Sequence, residues 1–122
     1  MRIDLRRCLV SLLVAFAAVL AFVADPVFAE SFPNDQHHQL FDKALRFSRQ
    51  GDPQQALEGW DRVLELAPED AAAWSNRGNV RLVLGDTEGA ISDQTRAIEL
   101  APEEADPHLN RGTAEEALQR WS

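Results

Sequence analysis

The chain has 122 residues, room for one small domain. Acidic residues outnumber basic ones, 20 to 12, for a formal net charge of -8, which argues against a nucleic-acid partner and against a polybasic grip on anionic lipid. The single cysteine, Cys8, excludes an intrachain disulfide.

Arg2, Arg6 and Arg7 open the chain with positive charge, and Cys8 to Ala24 is an apolar or small run, CLVSLLVAFAAVLAFVA. Asp25 and Pro26 end any helix there, and Val27 and Ala29 stand three and one positions before Glu30. This is the pattern of a secretory signal peptide over residues 1–29, cleaved after Ala29. The rival is an uncleaved membrane anchor over residues 8–24, since that run sits at the lower limit for crossing a bilayer. Cys8 opens the run instead of following it, which suits a small hydrophobe and not a lipidated cysteine. Cleavage takes away three arginines and two aspartates, so nine basic and eighteen acidic residues remain, a net charge of -9 and no cysteine. Residues 30–36, ESFPNDQ, are expected to be a disordered leader.

The rest of the chain repeats itself at an offset of 34. Gly51-Asp52 falls on Gly85-Asp86, Ala56-Leu57 on Ala90-Ile91, and Glu65-Leu66-Ala67-Pro68-Glu69 on Glu99-Leu100-Ala101-Pro102-Glu103. One unit on, Asn76-Arg77-Gly78 falls on Asn110-Arg111-Gly112, and Leu84 on Leu118. A period of this size means stacked supersecondary units. The turn and cap signals predict helices over 37–49, 53–66, 71–84, 87–100 and 107–120. Pro53 suits a first helical position, Gly85 a helix end at positive φ, Asp86 or Thr87 a helix cap, and Pro102 a boundary.

Trp74, Gly78, Gly85, Ala90 and Pro102, with Ala97-Ile98-Glu99-Leu100 between, resemble one complete repeat of the tetratricopeptide-repeat (TPR) family. The resemblance covers about residues 37–121. It implies an all-α solenoid of antiparallel helix pairs, about two and a half repeats, with a concave binding surface. The units are a degenerate first repeat over 37–70, a second over 71–104 and a partial third over 105–122. With the N-terminal segment, the resemblance is to a small exported bacterial or cyanobacterial-type TPR protein, placed in the periplasm or the thylakoid lumen.

The chain departs from the family pattern in three ways. Leu40 and Ala44 stand in the first repeat where Trp74 and Gly78 stand in the second. Arg77 and Arg111 occupy a position the family usually gives to leucine. An ion pair between Arg77 and Asp93 is expected, exposed and contributing about 0–1 kcal/mol. The third unit holds a first helix without a second, so Leu118 and Trp121 mark an edge expected to be exposed. That edge suits a solvating last helix, a self-associating surface, or a fragment of a longer TPR protein or enzyme subunit. Fewer than three repeats implies a marginally stable domain.

Asn76, Asn79 and Asn110 lie on first helices, which in TPR-like proteins line the groove, where an amide bonds the backbone of a bound peptide. The same positions also suit plain solvated helix surface. The family's clamp for a C-terminal carboxylate needs groove cations, and the corresponding region offers Phe41, Leu45 and Asp106. His37, His38 and Asp42 share a helix start, but with only His108 besides they fall short of a metal site. Trp60 and Trp74 fall on apolar stripes, as core residues do, and Trp121 is the tryptophan expected to be exposed. No nucleophile elbow, phosphate loop or metalloprotease motif occurs. The expectation is a non-catalytic adaptor or scaffold without cofactor or metal, binding a peptide or helix of a protein partner and touching membrane only through an uncleaved N-terminal segment.

Overall fold

The computed structural model describes residues 33–122. Within them all regular structure is helical: α1 (Pro33–Gln50), α2 (Pro53–Leu66), α3 (Ala71–Val83), α4 (Thr87–Leu100) and α5 (Ala105–Trp121). The signal peptide or anchor expected over residues 1–29 lies outside the described residues.

Two kinds of turn alternate. Gly51 and Gly85 take φ of 76° and 85°, a region open to glycine at no steric cost. They close α1 and α3: Asp52 N–H donates to Phe47 O at 3.1 Å and Asp86 N–H to Arg81 O at 2.9 Å, satisfying carbonyls the helix ends leave orphaned. The same aspartates then cap the next helices. Asp52 Oδ1 accepts from Gln55 N and Asp86 Oδ1 from Gly89 N, at 3.1 and 3.0 Å. Each such cap contributes about 1 kcal/mol. The α2–α3 and α4–α5 turns carry Pro68 and Pro102 instead. Asp70 caps α3 through Ala73 N, whereas Glu104 makes no side-chain cap for α5.

Of the disordered leader expected over 30–36, residues 33–36 are helical instead, because α1 begins at Pro33; residues 30–32 lie outside the described residues. A proline needs no amide partner in a first turn, and Asp35 complements the helix dipole there. The other helix limits move little: α3 closes at Val83, and α5 runs from Ala105 to Trp121.

Each helix packs on the next in sequence, and α3 also touches α1 and α5. The apolar core lies in the first half of the stack, around Ala44, Ala56, Trp60, Val63, Ala73 and Val80. Phe41 meets Trp60 edge-to-face at a 4.9 Å centroid distance, and Trp60 Nε1–H donates to Ser48 Oγ at 3.0 Å. Trp60 is fully buried; Trp74 is partly buried, with its Nε1–H on Pro68 O at 2.8 Å. A Cβ built on Gly59 would lie 2.9 Å from Ala44 Cβ, so the small pair that lets α1 and α2 cross is Ala44 with Gly59. In the second hairpin the pair is Gly78 with Ala90: a Cβ on Gly78 would sit 3.2 Å from Ala90 O. The degenerate first repeat keeps the close approach by moving the glycine to the other helix.

Candidate binding groove

The interior of the second hairpin is polar where the first is apolar. Gln94 stands in the register of Trp60, and both are buried. Its Nε2 donates to Ser75 O at 2.9 Å and to Asn79 Oδ1 at 3.0 Å, while its Oε1 accepts from Ser75 Oγ at 2.9 Å. Asn110 Nδ2 reaches Ser75 Oγ from α5 at 3.4 Å. A buried amide with its partners satisfied fixes the side chains around it. Gln94 therefore holds Ser75 and Asn79 in place on the opposite, open side of α3.

That open side is a groove made of two hollows. One, of about 470 Å³, lies between α3 and α5, with Ser75, Asn76, Asn79, Asn110, Pro107 and Asp106 on its walls. The other, of about 430 Å³, lies between α1 and α3, with Ser48, Arg49, Val80 and Val83. Asn76 and Asn79 border both. The structure thus brings Asn76, Asn79 and Asn110 to one concavity. Among the described residues the Asn76 side chain has no hydrogen-bond partner, and Asn79 keeps its amide donors after Gln94 takes its oxygen. The charge on the α3–α5 hollow is acidic: Asp70, Glu104 and Asp106 border it, and no lysine or arginine does.

Ser75 and Gln94 escaped sequence reasoning, because an isolated serine and glutamine read as helix surface. The shared register of Gln94 with Trp60 was the available signal.

Behind the groove lies an ion cluster. Arg77 gives Nε and Nη2 to Asp93 at 2.8 and 2.9 Å, and Nη1 to Asp61 of α2 at 2.7 Å. Arg81 adds a third bond to Asp93 at 3.0 Å. The guanidinium of Arg77 also lies 4.7 Å from the Trp74 ring. The expectation of an exposed pair is corrected here, since Asp93 is 1 % exposed and is shared by two arginines. Asp93 raises the Arg77 pKa above the ordinary arginine value; burial opposes this and Asp61 adds to it. The cluster ties α2, α3 and α4 together and does not border the groove.

His37 does not pair with His38 and Asp42 for a metal. Its Nε2–H donates to Asp70 Oδ2 at 3.0 Å, pinning the start of α1 to the cap of α3. Among the described residues no cluster of three metal-ligating side chains occurs. Leu118 is partly exposed and Trp121 is 87 % exposed at the end of α5.

A family model for the tetratricopeptide repeat matches residues 41–105, more than half of the chain. The chain belongs to the TPR family. No curated protein matches its sequence. Solved TPR structures do. The TPR2B domain of yeast Sti1, in its pHsp70 complex, is 25 % identical, with a TM-score of 0.67 over 70 % of this chain and 68 % of that one. The second TPR of Spaghetti (RPAP3), bound to the HSP90 peptide SRMEEVD, is 27 % identical, with a TM-score of 0.67 over 70 % and 79 %. The TPR domain of Arabidopsis OM64, 22 % identical with a TM-score of 0.70 over 74 % of each chain, shares the fold. In this TPR chain the α3–α5 hollow of the groove presents amides and carboxylates, and the α1–α3 hollow carries Arg49.

Proposed function

We propose that this chain is a non-catalytic adaptor that holds an extended segment of a partner protein in the α1–α3–α5 groove. The observation that carries the proposal is the meeting of Asn76, Asn79 and Asn110 in one concavity, with Gln94 fixing the register of α3. Side-chain amides give and accept at once, as a peptide backbone needs. Peptides bound to the structurally similar TPR domains support the same use of the fold. The chemistry of the segment differs from a C-terminal carboxylate, because Asp70, Glu104 and Asp106 border the α3–α5 hollow without a cation. A neutral or basic stretch suits that hollow, and the α1–α3 hollow takes a small apolar side chain against Val80 and Val83, beside Arg49.

We further propose that the adaptor works after export, in a periplasm or thylakoid lumen, on the strength of residues 1–29. Sequencing the N-terminus of the mature protein tests this: Glu30 as the first residue supports cleavage, and an intact Met1 contradicts it.

The groove is tested by affinity capture from an extract of the compartment, with the native chain beside the double variant Asn76→Ala/Asn110→Ala. The expected result is a specific partner lost by the variant, with circular dichroism unchanged. Equal capture by both would reject the groove assignment.

A further inference from the structure

Besides steadying α3, the buried amide of Gln94 decides which end of two groove asparagines is left for a ligand. A backbone carbonyl accepts and cannot donate, so the Gln94 group facing Ser75 O, at 2.9 Å, is Nε2. That nitrogen gives its second hydrogen to Asn79 at 3.0 Å, and the atom receiving it is therefore Oδ1. The Asn79 amide nitrogen keeps both hydrogens, turned away from Gln94, on a residue that is exposed.

The same count runs through Ser75 to α5. Oε1 of Gln94 only accepts, so the Ser75 hydroxyl gives it its one hydrogen, at 2.9 Å. Towards α5, Ser75 Oγ can then only accept. The Asn110 group that meets it, at 3.4 Å, is accordingly Nδ2. Oδ1 of Asn110 is the end left over, and among the described residues nothing donates to it. Turning the Asn79 amide over would set donor against donor, and turning Asn110 would set acceptor against acceptor. Both clashes would fall beside Gln94, which is 1 % exposed, where unpaired polar groups are costly. All of these atoms belong to α3, α4 and α5.

We propose, on the groove reading above, that Gln94 sets the hydrogen-bonding sense of the groove: Asn79 donates to a main-chain carbonyl of the bound segment, and Asn110 accepts from a main-chain N–H. Gln94 and Ser75 are positioning residues, acting through the two asparagines. The sense has a consequence for the ligand. An ordinary peptide group supplies both partners, whereas proline has no N–H. A segment that places proline at Asn110 is rejected, and one that carries it elsewhere is not.

The probe is a peptide selected against the full chain from a random library displayed on phage. It is resynthesised with one ester in place of one amide at a time, each ester removing a single N–H. The expected result is a position at which the ester weakens binding to the native chain by about three- to tenfold. That penalty disappears in Asn110→Leu, which has no acceptor to lose, and persists in Asn79→Ala. Ser75→Ala frees the Asn110 amide to turn its own N–H towards the ester oxygen, and shrinks the penalty to about twofold or less. Gln94→Leu does the same, and Ser75→Ala, which keeps the Gln94 bonds to Asn79 and to Ser75 O, carries the test if Gln94→Leu fails to fold. A penalty that disappears in Asn79→Ala in place of Asn110→Leu, or that survives Ser75→Ala at full size, overturns the proposal while the groove reading stands. A library that yields no binder, or binders indifferent to both asparagines, overturns the two together.

Discussion

A carboxylate that is 1 % exposed, as Asp93 is, costs several kcal/mol to desolvate unless it is paired. Arg77 and Arg81 supply three bonds to it, so removing Arg77 leaves a buried charge half-compensated. Arg77→Ala should destabilise the fold by about 3 kcal/mol, read as a lowered urea midpoint, whereas an unchanged midpoint would mean the cluster is idle. The raised Arg77 pKa fixes a sign as well. Its contribution is fully present below the ordinary arginine value and is lost only as pH rises through the higher folded value. Between about pH 7 and 10 the midpoint should show no loss traceable to Arg77; the chain has no tyrosine to confuse the measurement. The glycines give a paired test. Gly78→Ala puts a Cβ 2.7 Å from Gln94 Nε2 and should cost about 1–3 kcal/mol by overpacking. Gly112→Ala meets open space and should stabilise α5 by about 0.5–1 kcal/mol through helix propensity. Thermal melts of the two variants moving in the same direction would contradict this account of the crossings.

At the scale of the helices, register and burial separate what a side chain does. Arg46 and Val80 occupy the same place in successive first helices, yet Arg46 faces solvent and Val80 is 6 % exposed. Arg46→Ala should change stability by less than about 0.5 kcal/mol, and Val80→Ala should cost about 1–3 kcal/mol, in matched denaturant titrations. The helix limits of α2 and α4 were legible in full, because proline, glycine and aspartate punctuate them at both ends. The start of α1 was not. Its first turn, Pro33 to Gln36, carries no periodic apolar residue, and its position depends on a contact no local pattern encodes, His37 on the cap of α3. The ion cluster was half legible. Arg77 and Asp93 face each other across one hairpin, so their pairing follows from the repeat. Asp61 comes from the preceding repeat, and the burial of Asp93 follows from stacking.

Over the whole described unit, a repeat of 34 residues carried the architecture from sequence to structure, since each turn signal recurs at that spacing. The groove was legible in its asparagines and illegible in its support. Asn76, Asn79 and Asn110 stand out on first helices, while Gln94, which orients Ser75 and Asn79, reads as an ordinary surface residue until the helices are packed. The central claim is that a partner segment lies in this groove. Site-specific photo-crosslinking in the intact protein tests it most directly, with the reactive side chain placed at Ala72 on the groove wall or at exposed Ser92 on α4. The account predicts one crosslinked partner from position 72, absent from position 92 and lost when Asn76 and Asn110 are both alanine. A partner crosslinked from position 92 alone, or from both positions regardless of the asparagines, would contradict it.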